Sequence, residues 1–87
     1  MYTIENSSKV DKIFRKLSRK NPQEFEAITK KLVELAEDPR RFKPLSNVMK
    51  GFRRVHFGSF VLIFSIDEER MTVVLEDYEH HDTVYRN

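Results

Sequence analysis

The sequence predicts an α+β fold: an antiparallel meander sheet with an N-terminal strand and a helical hairpin packed on one face. Two patterns predict it. Apolar residues recur at helical spacing in two successive segments of the first half, and strand-like apolar runs separated by turn residues fill the second half. The predicted order of elements is β-α-α-β-β-β. With 87 residues, the chain is expected to form a single domain spanning 1–87.

A strand and a helix are predicted at the N terminus. Residues 2–5, "YTIE", alternate and are rich in strand-forming side chains. Ser7 or Ser8 can cap the helix that follows, because apolar residues then occur at i, i+3, i+4 and i+7 from Val10 to Leu17. The other face of this helix is strongly basic.

A second helix is predicted directly afterwards. Asn21 would be its N-cap, Pro22 its first residue, and Glu24 the residue that returns a hydrogen bond to the cap. Apolar residues spaced three and four apart continue to Leu35, and Pro39 ends the helix because it disfavours helical geometry at the residue before it. The short connection predicts that the two helices form an antiparallel hairpin.

A predicted loop over residues 39–51 is followed by three predicted strands. Side chains alternate in residues 52–57, which sets Arg54 and His56 on one face of the first of these strands. Residues 60–66, after a glycine turn, are almost wholly apolar, so this strand should be central and covered on both faces. A further apolar run after a charged turn is the last strand.

The composition excludes several classes of function. The chain has no cysteine, which excludes disulfides and thiolate chemistry and fits a reducing cytosol. It holds only two glycines, so it has no glycine-rich phosphate loop. Its apolar runs fall well short of the roughly 18–20 residues that span a membrane. We therefore expect a cytoplasmic protein that does not associate with a membrane and uses no cofactor.

The net charge of +2 hides an uneven distribution. Residues 1–66 carry 14 Lys or Arg and 7 Asp or Glu, whereas residues 67–87 carry 2 and 7. Residues 40–54 hold six basic side chains and no acidic one. This stretch could meet a polyanion or an acidic protein segment, or it could be an ordinary solvated loop.

Titratable side chains are concentrated in one predicted strand and at the C terminus. Arg54 and His56 share a strand face, and His80, His81 and Tyr85 follow the last strand. A compact meander can bring the two groups together. A fixed cation, imidazoles and a phenol suit cleavage of a phosphodiester by the neighbouring 2′-hydroxyl, which needs a base, an acid and positive charge. The alternative is that all five are ordinary surface or packing residues.

No metal site is predicted. The chain lacks the Cys/His spacing of zinc sites. His80 and His81 are adjacent, so on a strand they would face opposite sides and chelate one ion poorly. His56 or Asp82 could supply a further ligand, but the sequence favours chemistry without a metal.

Three segments, taken in order, make the chain resemble the RelE/ParE superfamily of toxins from bacterial and archaeal toxin–antitoxin modules. They are "KLVELAEDPRRFKPL", "MKGFRRVHFGSFVLIFSID" and "VVLEDYEHHDTVYRN". The resemblance covers nearly the whole length and implies a RelE-like sheet with a helical hairpin. It implies a ribosome-dependent endoribonuclease that cuts mRNA or, in the other branch, an inhibitor of DNA gyrase. It also implies a cognate antitoxin that binds and silences the toxin.

The resemblance also implies roles for individual residues. Arg54 matches a basic position that contacts the phosphate, and His56 stands where a second basic residue is usual. His81 matches a tail position proposed as general acid or charge stabiliser. Tyr85 matches the tail tyrosine, whose proposed roles include base and base-stacking. Further contacts to RNA are expected from basic side chains of the loop and tail: Arg40, Arg41, Lys43, Lys50, Arg53, His80 and Arg86.

One position departs from the family. The third strand often carries an arginine just after its first aromatic residue, and here that position is Val61. Loss of this cation would remove a phosphate contact. The expected function is a toxin that cleaves translated mRNA on the ribosome. The alternatives are a toxin that inhibits gyrase and an attenuated toxin that mainly binds its antitoxin.

Overall fold

The protein consists of a four-stranded sheet with a helical hairpin on one face. A computed structural model of the protein describes residues 1–45 and 51–84. The α+β class, the predicted order of the main elements and the RelE-like layout are confirmed; a 3₁₀ turn and a short C-terminal helix are additional. In chain order the elements are β1 (Thr3–Asn6), α1 (Ser8–Lys20), α2 (Pro22–Glu37), the 3₁₀ turn (Pro39–Arg41), β2 (Arg53–Phe57), β3 (Phe60–Asp67), β4 (Thr72–His80) and α3 (His81–Val84).

The strands are arranged in the order β1-β4-β3-β2. Strands β2, β3 and β4 form the predicted antiparallel meander. The N-terminal strand β1 is added at the other edge and runs parallel to β4, so the sheet is mixed. The helical hairpin carries the chain from β1 at one edge to β2 at the other, which is the crossover that a parallel pair requires.

The helix caps form where the sequence places them. Ser7 accepts a hydrogen bond from the Val10 N–H, and the Asn21 side chain accepts one from the Glu24 N–H. Glu24 returns a bond to the cap through the Asn21 side-chain amide, at 3.1 Å. It does not reach the Asn21 backbone N–H, because that group donates to the Leu17 carbonyl at the end of α1.

Strand β3 is buried on both faces, as its apolar run predicts. Val61, Leu62, Ile63 and Phe64 are each at most 2% exposed. Toward the helices, Leu62 and Phe64 join the main core, which includes residues of α1, α2 and β4. On the other face lies a second, smaller core. It consists of Leu45, Val61 and Ile63, with Phe52 and Val84 packed against them.

The turn between β2 and β3 depends on Gly58. Its φ angle is +58°, in the left-handed region where a side chain is unfavourable. The turn lets Phe57 pair directly with Phe60, which fixes the register of β2 against β3. It also places Ser59 at the end of the sheet where the C-terminal helix begins.

A hydrogen bond between sheet and helical hairpin gives a test of the fold. The Tyr78 hydroxyl, on a side chain only 4% exposed, donates to the Glu24 carboxylate. Tyr78→Phe keeps the ring and removes this bond to a charged acceptor, so we expect the free energy of unfolding to fall by about 1–2 kcal/mol. Urea denaturation with an unchanged m-value would measure it.

The matched control for this test is Tyr2→Phe. The Tyr2 hydroxyl also donates to a carboxylate, that of Glu68, but at an exposed site. We expect no measurable change in the midpoint of unfolding. Equal losses in the two variants would contradict the idea that burial makes the Tyr78 bond important.

Candidate functional site

Arg54 and His56 lie on the sheet face opposite the helical hairpin. In the antiparallel pairing of β2 with β3, Arg54 is opposite Ile63 and His56 is opposite Val61. Directly opposed residues point to the same side of a sheet, and both partners belong to the second core. The alternation read from the sequence therefore puts Arg54 and His56 beside the second core.

The C-terminal helix reaches the same face. Strand β4 ends at His80, and α3 begins at His81. The His81 N–H donates to the Ser59 carbonyl at 2.8 Å, which anchors the start of the helix to the β2–β3 turn. Val84, at the other end of α3, packs on the second core. The tail thus folds over the face that carries Arg54.

Electrostatic interactions connect these side chains. Arg54 Nη1 lies 3.3 Å from His56 Nδ1. His56 is exposed, but partial desolvation lowers its pKa from the usual value, and the nearby charges of Arg54 and His81 lower it further. Arg54, His56 and His81 therefore form one cluster, which we call the basic cluster. Tyr85, the fourth predicted catalytic residue, lies outside the described residues, as do Lys50 and Arg86.

The two adjacent histidines are stacked, and the expectation that they face opposite sides is wrong. The ring centroids of His80 and His81 are 4.8 Å apart, with an interplanar angle of 22°. The reason is that His80 is the last residue of a strand and His81 the first of a helix, so strand alternation stops between them. His80 Nδ1 also accepts the Asp82 N–H at 3.2 Å, as a capping side chain does.

His80, His81 and Asp82 form a group able to hold a metal ion. One ligand atom from each lies within 4.8 Å of the others. Asp82 Oδ1 is 3.3 Å from His81 Nδ1, and Asp82 Oδ2 is 3.7 Å from His80 Nδ1. We call these three residues the tail triad. The sequence analysis named Asp82 as a possible further ligand, but the stacking of the His80 and His81 rings could not be predicted from the sequence.

Phe60 contacts His80 of the tail triad, and the sequence analysis did not single it out. It pairs with His80 across β3 and β4, and the two rings meet edge to face at 5.6 Å. On its other side Phe60 stacks on Tyr78, at 5.3 Å. Phe60 remains 36% exposed, so it supports the His80 ring at the edge of the site. An aromatic residue directly after the turn was the signal that could have found it.

Arg53, predicted to bind RNA, lies on the face of β2 opposite Arg54 and His56, and its side chain is hydrogen-bonded to the backbone. Its guanidinium Nη1 donates to the carbonyl of Phe42 at 2.6 Å and of Arg40 at 3.2 Å. The side chain thereby ties the loop after the 3₁₀ turn to β2. Alternation sets Arg53 and Arg54 on opposite faces, so the structure does not bring Arg53 to the basic cluster.

Among the described residues, the other loop cations are exposed, and two of them are paired. Arg40 forms an ion pair with Glu68, and Arg41 pairs with Glu34 at 2.6 Å. Lys43 is also exposed. Exposed pairs of this kind are weak and exchange readily, so these cations can leave their carboxylates for another anion.

Val61, the position where the family often has an arginine, is completely buried. Its exposed fraction is 0%, and it lies at the centre of the second core. A guanidinium there would have to displace Leu45 or Val84 to reach solvent. The missing cation is thus accompanied by an apolar contact that holds α3 on the sheet.

Comparison with known proteins places the chain in a family. A sequence model described as the ParE toxin of the type II toxin–antitoxin system parDE matches residues 2–82. A Methanocaldococcus jannaschii chain named RelE4 is 41% identical over 87 residues, which cover 99% of this chain and 93% of that one.

Two solved structures share the fold. The toxin–antitoxin complex RelBE2 from Mycobacterium tuberculosis matches with a TM-score of 0.77 and 27% identity, covering 91% of this chain and 96% of that one. A metal-bound toxin from Helicobacter pylori matches with a TM-score of 0.76 and 28% identity, covering 98% and 100%. The chain therefore belongs to the RelE/ParE superfamily of toxins of type II toxin–antitoxin systems.

Proposed function

We propose that this toxin is a ribosome-dependent endoribonuclease that cleaves translated mRNA through attack of the 2′-hydroxyl, without a metal. The observation that carries the proposal is the basic cluster: Arg54 contacts His56 beside the second core, and His81 is near enough for its charge to lower the pKa of His56. Together they can supply positive charge at a phosphate and two imidazoles to move protons. Those are the requirements of this reaction.

Arg54 would bind and stabilise the reacting phosphate. A guanidinium matches a phosphate with two parallel hydrogen bonds and keeps its charge at any physiological pH. Charge accumulates on the non-bridging oxygens as the 2′-oxygen attacks, so a fixed cation stabilises the transition state more than the ground state.

His56 would serve as the general base. Its lowered pKa keeps the imidazole neutral at pH 7, and Nδ1 faces Arg54. When Arg54 turns to the phosphate, the lone pair of that nitrogen becomes available to the 2′-hydroxyl. The proton then moves from the 2′-oxygen to His56, and the bond between the 2′-oxygen and phosphorus forms.

His81 would serve as the general acid. Its backbone is anchored to Ser59 at the end of the sheet, on the tail side of the cluster. As the bond between phosphorus and the 5′-oxygen breaks, a protonated imidazole gives its proton to that oxygen. The products are a 2′,3′-cyclic phosphate and a 5′-hydroxyl. The family resemblance adds Tyr85, which would position the 2′-hydroxyl.

The proposed partners are a cognate antitoxin, the ribosome and mRNA. The exposed loop cations Arg40, Arg41 and Lys43 would contact RNA backbone, because phosphates can replace the carboxylates that now pair with the two arginines. In the described part of the chain, no helix combines the length and apolar character needed to cross a membrane. We place the protein's action in the cytoplasm, where ribosomes translate.

A gyrase-directed toxin is the second candidate. The family description that matches residues 2–82 is that of ParE toxins, and the buried Val61 leaves the site without one cation that the family often has. The basic cluster favours cleavage, because a binding-only toxin has no need of two imidazoles beside an arginine.

Substitutions in the basic cluster test the proposed roles. Arg54→Ala and His56→Ala should each lower the rate of cleavage of ribosome-bound mRNA about 100-fold or more, since each removes a group that acts in the transition state. Both variants should also relieve growth arrest on expression. Circular dichroism checks that they fold.

The matched control for these substitutions is Arg70→Ala. Arg70 is an exposed arginine in the turn between β3 and β4, where it pairs with Asp67 and Glu5. We expect cleavage at the rate of the parent protein. Full activity of Arg54→Ala, with the control also active, would show that the basic cluster is not the catalytic site.

Mapping of transcript ends in translating cells separates the two candidate functions. Cuts within codons are expected for the endoribonuclease, whereas intact transcripts with DNA-damage signalling would identify a gyrase inhibitor. The Helicobacter pylori relative is described as metal-bound, so cleavage by this chain should be repeated with a chelator. We expect the same rate, and loss of cleavage would contradict the metal-independent mechanism.

The electrostatic environment of His56 is testable by titration. NMR of the imidazole ring protons should show a pKa below the usual 6.5, because of burial and then the charges of Arg54 and His81. Arg54→Gln removes a positive neighbour and should raise this pKa, whereas Arg70→Gln should leave it unchanged. An unshifted His56 in the parent protein would remove its assignment as the neutral base.

A further inference from the structure

The tail triad has a second chemistry that the cleavage reaction does not use. We propose that His80, His81 and Asp82 bind a divalent transition-metal ion, with Zn²⁺ the best match. Each residue contributes one ligand atom, and these atoms lie within 4.8 Å of one another. Two imidazole nitrogens and one carboxylate oxygen are a ligand set that zinc accepts, with a fourth position left for water.

The distances within the tail triad are close to those of a bound ion. Ligand bonds to zinc of about 2.0–2.1 Å in tetrahedral geometry set neighbouring ligand atoms about 3.4 Å apart. Asp82 Oδ1 is 3.3 Å from His81 Nδ1, and the other oxygen of that carboxylate, Oδ2, is 3.7 Å from His80 Nδ1. One of these oxygens would bind the ion, and one ligand atom from each residue lies within 4.8 Å of the others. Small rotations of the side chains are therefore enough to close the ligand set around one ion.

The backbone around the triad is fixed while the side chains are accessible. His80 is paired with Phe60 in the sheet, and the His81 N–H is bonded to the Ser59 carbonyl. The side chains of His80, His81 and Asp82 are 43%, 45% and 67% exposed. An ion can thus enter from solvent without opening the fold.

His80 already presents a lone pair inside the triad. Its Nδ1 accepts the Asp82 N–H, which requires that nitrogen to carry no proton. A metal ion would take this lone pair in place of the N–H, which can then bond to water. Ligands that need not lose a proton favour binding at neutral pH.

The ligand types and local charge select the kind of ion. Imidazole suits Zn²⁺, Cu²⁺ and Ni²⁺, whereas Mg²⁺ prefers oxygen ligands. Within the triad the Asp82 carboxylate supplies a negative charge that attracts a cation. A soft or borderline transition metal is therefore the class of ligand that the triad fits.

Metal binding would have a consequence for cleavage, and this consequence rests on the proposed function. A metal on His81 occupies the lone pair that must carry a proton to the leaving oxygen. The ion would therefore act as an inhibitor rather than a cofactor. Chelation should leave a metal-free toxin unaffected and restore a zinc-loaded one.

Isothermal titration of Zn²⁺ into the metal-free full-length chain at pH 7.5 tests the site directly. We expect one ion per chain, at least tenfold weaker binding in Asp82→Asn, and loss of this site in a His80→Ala/His81→Ala double variant. Asp67→Asn, which changes an acidic residue at the other end of the β3–β4 hairpin, is the matched control for Asp82→Asn and should keep the parent affinity. Mg²⁺ should give no binding heat. The visible spectrum of Co²⁺ added to the parent chain should report nitrogen and oxygen ligands.

Two results would overturn the proposal. One is equal Zn²⁺ affinity in the parent and the folded double variant, and the other is no Zn²⁺ binding to the parent. Cleavage assays distinguish this failure from failure of the proposed function, since the metal-free chain tests cleavage alone. Zinc that binds the triad while cleavage continues at the same rate would overturn the inhibitory consequence and the role of His81 as acid.

Discussion

The constraint on which the structure depends is the apolar character of β3 on both faces. A strand with Val61, Leu62, Ile63 and Phe64 in succession must be covered on two sides. The helical hairpin covers one side with the main core. The other side is covered by Leu45 and Phe52 and by Val84 of α3. This second core is formed by few residues, and it brings β2 and α3 together.

This second core explains why a site can form at the edge of so small a sheet. Packing of Val84 on the second core holds α3 over the face that carries Arg54 and His56, so an apolar contact positions the residues of the site. Val61 is part of this arrangement. Val61 is an apolar contact at the position where the family resemblance leads one to expect a cation. Under the proposed function, two imidazoles beside one arginine would carry the chemistry instead.

The sequence predicted what local patterns determine. The caps at Ser7 and Asn21 and the centrality of β3 depend on neighbouring residues or on simple periodicity, so they could be read directly. The meeting of β2 with the tail was predictable only as a possibility, because it depends on which apolar residues the loop and tail bury. The stacking of His80 on His81 could not be predicted, since the change from strand to helix between them leaves no mark in the periodicity.

Two exposed arginines of the loop can exchange their carboxylate partners for other anions. Arg40 and Arg41 are exposed and paired with single carboxylates, and such pairs contribute little to stability. A polyanion can therefore take these cations at small cost, and release of counterions favours the exchange at low salt. Arg53 is different, because its guanidinium is bonded to two backbone carbonyls that hold the loop. Moving it to a phosphate would break both of these hydrogen bonds to the loop that supplies Leu45 to the second core. The basic residues of the loop thus have two roles. Arg40 and Arg41 are available to a binding partner, whereas Arg53 stabilises the conformation of the loop.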